Sequence, residues 1–175
     1  MTKSYKEIMP NITTFIFDVD GVLTNGIVHI STTGELTRAM NIKDGYALKT
    51  AIDLGYNICI ISGGANEGVR KRLEGLGIND IYLGTHNKLI QFKEYLENKN
   101  ICPKEILYMG DDIPDLPVMK EVALACCPKD AVSEIKEISL YISHFKGGFG
   151  CVRDVIEQVL KVQGKWNGQF DAKYD

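Results

Sequence analysis

Short apolar runs that alternate with helical patterns constrain the fold of this chain more than any other feature. Five runs rich in Ile, Val and Phe have the length of strands, with a weaker sixth: 13–19, 57–62, 80–83, 106–109, 123–125 and 140–142. Helical periodicity marks the segments 46–54, 67–76, 88–98, 116–121, 131–138 and 152–162. This alternation predicts an α/β fold of the Rossmann-like type, with a mainly parallel sheet between two layers of helices.

One segment interrupts the alternation directly after the first strand. Residues Gly26–Arg38 form two β-prone arms around Thr32, Thr33 and Gly34, which predicts a small β-hairpin flap. The 175 residues suit one domain, so we expect a single domain over 1–175, with its core at about 13–163 and a tail at 164–175. The gaps between the strands are too short for a separate cap domain.

Composition excludes several classes of protein. The formal net charge is −3, which offers no basic surface for nucleic acid or an anionic membrane. The longest apolar runs have only the length of a strand, so no membrane span is expected. The five cysteines are an odd number without a Cys-X-X-Cys pair, and the N-terminus does not resemble a signal peptide. We therefore expect a cytoplasmic protein.

Acidic side chains follow two of the predicted strands. Asp18 and Asp20 come after the first strand, and Asp111, Asp112 and Asp115 come after the fourth. In an open α/β sheet the ligand site lies beyond the carboxyl ends of the strands, so these groups should share one edge. Carboxylates that close repel one another unless a divalent ion such as Mg²⁺ compensates. Taken singly, Asp112 and Asp115 are also typical of solvated turns or helix caps.

Two further positions suit the binding of a phosphate. Ser62 ends the second strand and precedes Gly63 and Gly64, so its hydroxyl and the following amides can face a phosphate oxygen, although such a sequence is also an ordinary turn. Lys88 opens a helix after Asn87, where a cation opposes the helix dipole. A phosphate or a carboxylate nucleophile nearby would explain that placement, whereas a single surface lysine is usually solvated.

These motifs, in this order, resemble the haloacid dehalogenase superfamily. They are Asp18 to Thr24, Ser62, Lys88, and Gly110 to Asp115. The resemblance extends to the capless sugar-acid phosphatases through four further segments and covers the chain from about residue 13 to 166: 41–46, 108–112, 127–131 and 147–154.

The resemblance implies a Mg²⁺-dependent phosphatase that works through an aspartyl-phosphate. Asp18 would be the nucleophile, and Asp20 the acid that protonates the leaving group and then the base for water. Ser62, Gly63 and Lys88 would bind the phosphoryl group. Mg²⁺ would be held by Asp18, the backbone carbonyl of Asp20 and Asp111, with Asp112 and Asp115 in support.

The implied substrate is an eight-carbon 3-deoxy sugar acid 8-phosphate used in lipopolysaccharide synthesis, with a nine-carbon sugar acid 9-phosphate as the alternative. Many relatives carry an arginine directly after the glycine of the second motif, where this chain has Gly64. Arg38, Lys43, Arg70 or Arg72 could bind the substrate carboxylate in its place, although Arg70 and Arg72 also fit a solvated helix face.

Two other classes of protein agree less well with these motifs. A phospho-acceptor signalling domain would have its acidic pair after the first strand and a lone acceptor Asp after the third, an order that this chain does not follow. A relative without activity would have no need for so costly a cluster of charges.

Because a capless site is open and the flap is apolar, the resemblance also implies a homotetramer in which a neighbouring subunit covers the substrate.

Overall fold

The computed structural model describes residues 4–167, and a six-stranded sheet with order β5-β4-β1-β6-β7-β8 dominates it. Every pairing in this sheet is parallel. A separate antiparallel pair is formed by β2 and β3. The strands are β1 (Thr14–Phe17), β2 (His29–Ile30), β3 (Leu36–Thr37), β4 (Asn57–Ile61), β5 (Asp80–Tyr82), β6 (Ile106–Met109), β7 (Leu124–Cys127) and β8 (Tyr141–Ile142).

Helices cover both faces of the sheet. They are α1 (Tyr5–Ile8), α2 (Ile42–Asp53), α3 (Glu67–Gly75), α4 (Lys88–Lys99), α5 (Leu116–Met119), α6 (Ser133–Ile138) and α7 (Cys151–Val162). Successive residues of β1 point to opposite faces: Phe15 and Phe17 pack with α2, α3 and α7, whereas Ile16 packs with α4, α5 and α6. The buried strands therefore read as continuous apolar runs, and the expected three-layer α/β fold is confirmed.

The flap and the first long helix show where local chemistry defines the elements. The hairpin lies where it was expected, and its turn closes with Gly34 at a φ of 81°. Helix α2 begins at Ile42 rather than at residue 46 as predicted, because the side chain of Asn41 accepts a hydrogen bond from the amide of Lys43 at 2.9 Å and caps the helix. That cap precedes the apolar periodicity on which the prediction was based.

None of the helices within residues 4–167 is both long enough and apolar enough to cross a membrane.

Candidate active site

Loops at the carboxyl ends of β1, β4, β5 and β6 meet around a cavity of about 690 Å³. It is lined by Asp18, Asp20, Ser62, Gly63, Lys88, Asp111 and Asp112, among others. These are the residues that the sequence singled out, with the exception of Asp115, which lies behind them. Because β1 is central in the sheet and pairs with both β4 and β6, the parallel order brings the separate motifs to one edge.

The turn after β1 brings the first and fourth motifs together. Asp18 is 6% exposed, and its Oδ1 accepts a hydrogen bond from the amide of Val19 at 2.7 Å. Gly21 has a φ of 90°, and a Cβ at this position would stand 1.9 Å from Oδ2 of Asp111. Only glycine therefore permits both the turn and the close approach of the Asp111 carboxylate.

Lys88, which lies unfavourably at a helix N-terminus, is paired with two buried carboxylates. Its Nζ lies 2.8 Å from Oδ2 of Asp18 and 2.7 Å from Oδ1 of Asp115, and all three side chains are less than 10% exposed. Burial lowers the pKa of Lys88, but the carboxylates of Asp18 and Asp115 outweigh it and the net shift is upward. The lysine is therefore a fixed, protonated group beside Asp18 rather than a solvated surface cation.

Asp115 is the fully buried anchor of this lysine. Its Oδ1 accepts hydrogen bonds from Lys88 and from the hydroxyl of Tyr108, the latter at 2.6 Å. Its Oδ2 accepts from the amides of Asp111 and Asp112 at 3.1 and 3.4 Å. Four donors occupy this carboxylate, so the solvated-turn reading of Asp115 is wrong. Tyr108 was not singled out in the sequence as a candidate because it sits within an apolar strand.

Asp111 and Asp112 differ although they are neighbours. Asp112 is exposed, and its Oδ1 accepts from the amide of Ile113 at 2.8 Å, so it caps the next turn as its alternative reading suggested. Asp111 is half-buried, and its Oδ1 has no hydrogen-bond partner among the described residues. Burial, followed by repulsion from Asp18 and Asp115, raises the pKa of Asp111 to about 8.

The cluster as a whole is short of positive charge. Carboxylate oxygens of Asp18, Asp111 and Asp115 lie within 4.8 Å of one another. Burial and then the charge of Asp115 raise the pKa of Asp18 to about 6, even though Lys88 acts in the opposite direction. Asp115 accepts four hydrogen bonds, whereas each oxygen of Asp18 has one donor and Oδ1 of Asp111 has none within residues 4–167. Asp18 and Asp111 are therefore the carboxylates with lone pairs left for a cation.

Asp20 lies on the wall of the same cavity in an ion pair that the sequence did not reveal. The Nε of Arg38 donates to Oδ1 of Asp20 at 2.6 Å, and its Nη2 donates to Oδ2 at 3.1 Å. The two residues are 18 positions apart and meet only because the flap folds back over the end of β1. No local spacing predicts such a contact.

The four candidates for binding a substrate carboxylate do not line the cavity. Arg38 is engaged with Asp20. Arg70 reaches toward the carbonyl of Ile81 at 3.5 Å, and Arg72 packs against helix α2 at Gly45. Lys43 lines a different cavity beside Phe145 and Phe149.

Fold and site together define a haloacid dehalogenase-like hydrolase, and a family profile of that description matches residues 74–150. The 3-deoxy-D-manno-octulosonate (KDO) 8-phosphate phosphatase of Salmonella typhi is 39% identical over 155 residues, which cover 89% of this chain and 82% of that protein. This chain belongs to the family of KDO 8-phosphate phosphatases.

Solved structures agree with this assignment. The crystal structure of KDO 8-phosphate phosphatase from Yersinia pestis superposes with a TM-score of 0.91 at 34% identity, covering 93% of this chain and 88% of that one. The enzyme from Moraxella catarrhalis, crystallised with a magnesium ion, a phosphate ion and KDO, gives a TM-score of 0.89 at 30% identity and covers 93% of both chains.

Proposed function

We propose that this chain is a Mg²⁺-dependent phosphatase that hydrolyses KDO 8-phosphate to KDO and phosphate. The observation that carries the proposal is the pair formed by a buried carboxylate, Asp18, and a buried ammonium, Lys88, at a cavity that Asp20 also lines. The names of the relatives favour the eight-carbon substrate over the nine-carbon alternative. The place in lipopolysaccharide synthesis that the resemblance implies stays a prediction.

Asp18 attacks phosphorus in the first step. Its Oδ1 is held by the amide of Val19 and its Oδ2 by Lys88, so the carboxylate is oriented before the substrate arrives. As the new oxygen–phosphorus bond forms, the bond from phosphorus to the sugar oxygen breaks. Lys88, the hydroxyl of Ser62 and the amide of Gly63 stabilise charge on the phosphoryl oxygens.

Asp20 moves the protons of both steps. In its protonated form it gives its proton to the leaving sugar oxygen, and as a carboxylate it then takes one from the water that attacks the aspartyl-phosphate. Hydrolysis regenerates the Asp18 carboxylate and releases phosphate. The partial exposure of Asp20, whose side chain is 34% accessible, leaves it within reach of the substrate and of water.

The residues present fit a magnesium ion. The buried Oδ1 of Asp111 lacks a partner within residues 4–167, and Asp18 lies close enough to share a cation with it. Asp18, Asp111 and the backbone carbonyl of Asp20 would hold the ion, with Asp112 in support, whereas Asp115 acts through Lys88. When bound, Mg²⁺ neutralises these carboxylates and the phosphoryl oxygens.

Phosphate release from a panel of sugar phosphates tests this function. With Mg²⁺ present we expect kcat/KM for KDO 8-phosphate to exceed that for a nine-carbon sugar acid 9-phosphate and for neutral sugar phosphates by at least about tenfold. A chelator should abolish turnover, and renewed Mg²⁺ should restore it. A preference for another sugar phosphate, or full activity in the chelator, would contradict the proposal.

A homotetramer is also part of the proposal, together with a single domain over 1–175 and a cytoplasmic location. The flap exposes Ile27, Ile30 and Leu36 by 55%, 73% and 42%, which is more apolar surface than an isolated two-stranded hairpin should present to water. A neighbouring copy would cover this surface and close the open cavity. Of the tail, Trp166 packs against Tyr46, whereas Phe170 and Tyr174 lie outside the described residues.

A further inference from the structure

The carboxylate of Asp20 is held by one side chain at the boundary between two cavities. Asp20 lines the active-site cavity of about 690 Å³, and Arg38 lines a second cavity of about 410 Å³ between the flap and helix α3. Among the described residues, the hydrogen bonds to this carboxylate come from Arg38. The hydrogen bond with Asp20 raises the pKa of Arg38, so the guanidinium stays charged.

The geometry indicates that Arg38 acts through Asp20 rather than on the substrate. Its Nε and Nη2 both point at Asp20, its side chain is only 9% exposed, and its remaining Nη1 is buried without a partner in the described part of the chain. The Nε–Nη2 edge of Arg38 is therefore occupied by Asp20, and Arg38 is not among the residues that line the active-site cavity. Removing it would leave the Asp20 side chain free to rotate.

The two oxygens of Asp20 are held differently. Oδ1 accepts the shorter bond, 2.6 Å, and Oδ2 the longer one, 3.1 Å. Oδ2 is also the oxygen that lies next to Gly64, which itself lines the active-site cavity. Oδ1 is thus the anchored atom, and Oδ2 is the atom placed to exchange a proton.

Gly64 provides the space for this arrangement. A Cβ at residue 64 would stand 2.8 Å from Oδ2 of Asp20 and 3.5 Å from Nη2 of Arg38. The contact at 2.8 Å is too short, so the end of the Asp20 side chain would have to move. Any side chain at position 64 therefore competes with the pair between Asp20 and Arg38.

The pair also connects Asp20 to the flap. Arg38 directly follows β3, and the side-chain amide of Asn66, the residue that caps α3, donates to the carbonyl of Leu36 in β3 at 2.8 Å. The returning arm of the flap is thus attached to the wall of the active site at two neighbouring points. A movement of the flap would be transmitted to Asp20 through Arg38.

We propose that Arg38 is a positioning residue that aims Oδ2 of Asp20 at the leaving-group oxygen, and that Gly64 is required because it leaves room for this pair. The proposal rests on the role given to Asp20 in the proposed function. It attributes to Arg38 an effect on proton transfer and none on the binding of the substrate carboxylate.

Leaving-group dependence tests the proposal. A sugar alkoxide needs a proton on leaving, whereas p-nitrophenolate does not, so a residue that acts through Asp20 should matter for the first only. For Arg38→Met we expect kcat/KM on KDO 8-phosphate to fall by about 10- to 100-fold and on p-nitrophenyl phosphate by less than about threefold. Arg38→Lys keeps the charge but loses the bidentate geometry, and should lie in between.

Two matched controls separate this effect from loss of charge or of fold. Lys99→Met removes a cation at the far end of α4, and Gly75→Ala adds a methyl group where nothing lies within 4 Å. Both should retain wild-type kcat/KM on both substrates. Gly64→Ala, by contrast, should show the same leaving-group-dependent loss as Arg38→Met.

A double-mutant cycle tests whether Arg38 acts through Asp20. In an Asp20→Asn background, Arg38→Met should change kcat/KM on the sugar phosphate by less than about twofold, because the group through which it acts is gone. The proposal would be overturned if Arg38→Met lowered kcat/KM equally on both substrates, or if it raised only the KM for KDO 8-phosphate. It would also be overturned if Arg38→Met had its full effect in the Asp20→Asn background. If Asp20→Asn itself shows no leaving-group dependence, the proposed role of Asp20 fails instead.

Discussion

Replacing Lys88 with methionine tests how much of the stability of the site depends on one buried cation. Lys88 and Lys99 are the first and last residues of α4, and each lies within 3 Å of an aspartate oxygen. The side chain of Lys88 is 5% exposed and that of Lys99 is 43% exposed. The two variants therefore remove the same group from the same helix in opposite environments.

The expected losses follow from this difference. Removing one partner of a buried ion pair leaves unpaired buried charge and costs about 3–5 kcal/mol. Relief of the unfavourable position at the helix N-terminus returns about 0.3–1 kcal/mol. We therefore expect Lys88→Met to lower the free energy of unfolding by about 2–5 kcal/mol at pH 8 in a chelator, whereas Lys99→Met should cost less than about 1 kcal/mol.

The pH dependence supplies an independent check. Without Lys88 the pKa of Asp18, already about 6 in the wild type, rises further. The folded variant then binds a proton more tightly than the unfolded chain, so its stability falls as pH rises toward that higher pKa. The loss should therefore be smaller at pH 6 than at pH 8, by about 1.4 kcal/mol for each unit of further shift.

Urea unfolding of both variants and the wild type at pH 6 and pH 8, in the presence of a chelator, measures these quantities. Equal losses for Lys88→Met and Lys99→Met would refute the argument that burial determines the cost. A loss for Lys88→Met that does not change between the two pH values would refute the argument that an unpaired Asp18 carboxylate causes it.

Two further predictions concern the nucleophile and the assembly. Asp18→Asn should abolish phosphate release while the free energy of unfolding stays level or rises, because the amide cannot attack phosphorus but removes a buried negative charge; more than trace activity in the pure variant would exclude Asp18 as the nucleophile. Light scattering should give the mass of a tetramer, and Ile30→Lys on the exposed flap should lower it; a monomeric wild type with full activity on KDO 8-phosphate would contradict the proposed assembly.

Much of the fold could be predicted from the sequence because its signals are local. The runs that became the inner strands β1, β4, β6 and β7 are apolar on both faces, as buried parallel strands require, and the turn residues predicted the hairpin. The start of α2 was missed because one hydrogen bond from Asn41 determines it. Residues 5–8 form a helix of a single turn, too short for periodicity to reveal.

The residue types of the site could likewise be read from the sequence, since strand ends in such a sheet share one edge. The role of each carboxylate could not be read from the sequence. Asp112 and Asp115 lie three positions apart in one motif, yet the first caps a turn in solvent and the second is buried under four donors. That distinction depends on which groups β6, α4 and the loop after β6 bring within reach.

The pairing of Arg38 with Asp20 belongs wholly to the tertiary structure. The sequence by itself determined that a nucleophile-like Asp18, a second aspartate, a serine and a lysine would meet at one edge of a parallel sheet, because hydrophobic periodicity and chain order specify that edge. Only the folded chain decided that Asp20 is oriented by an arginine from the flap and that Gly64 must stay small beside it. Such contacts depend on how close two surfaces approach, to within a few tenths of an ångström, and no pattern along the chain encodes that distance.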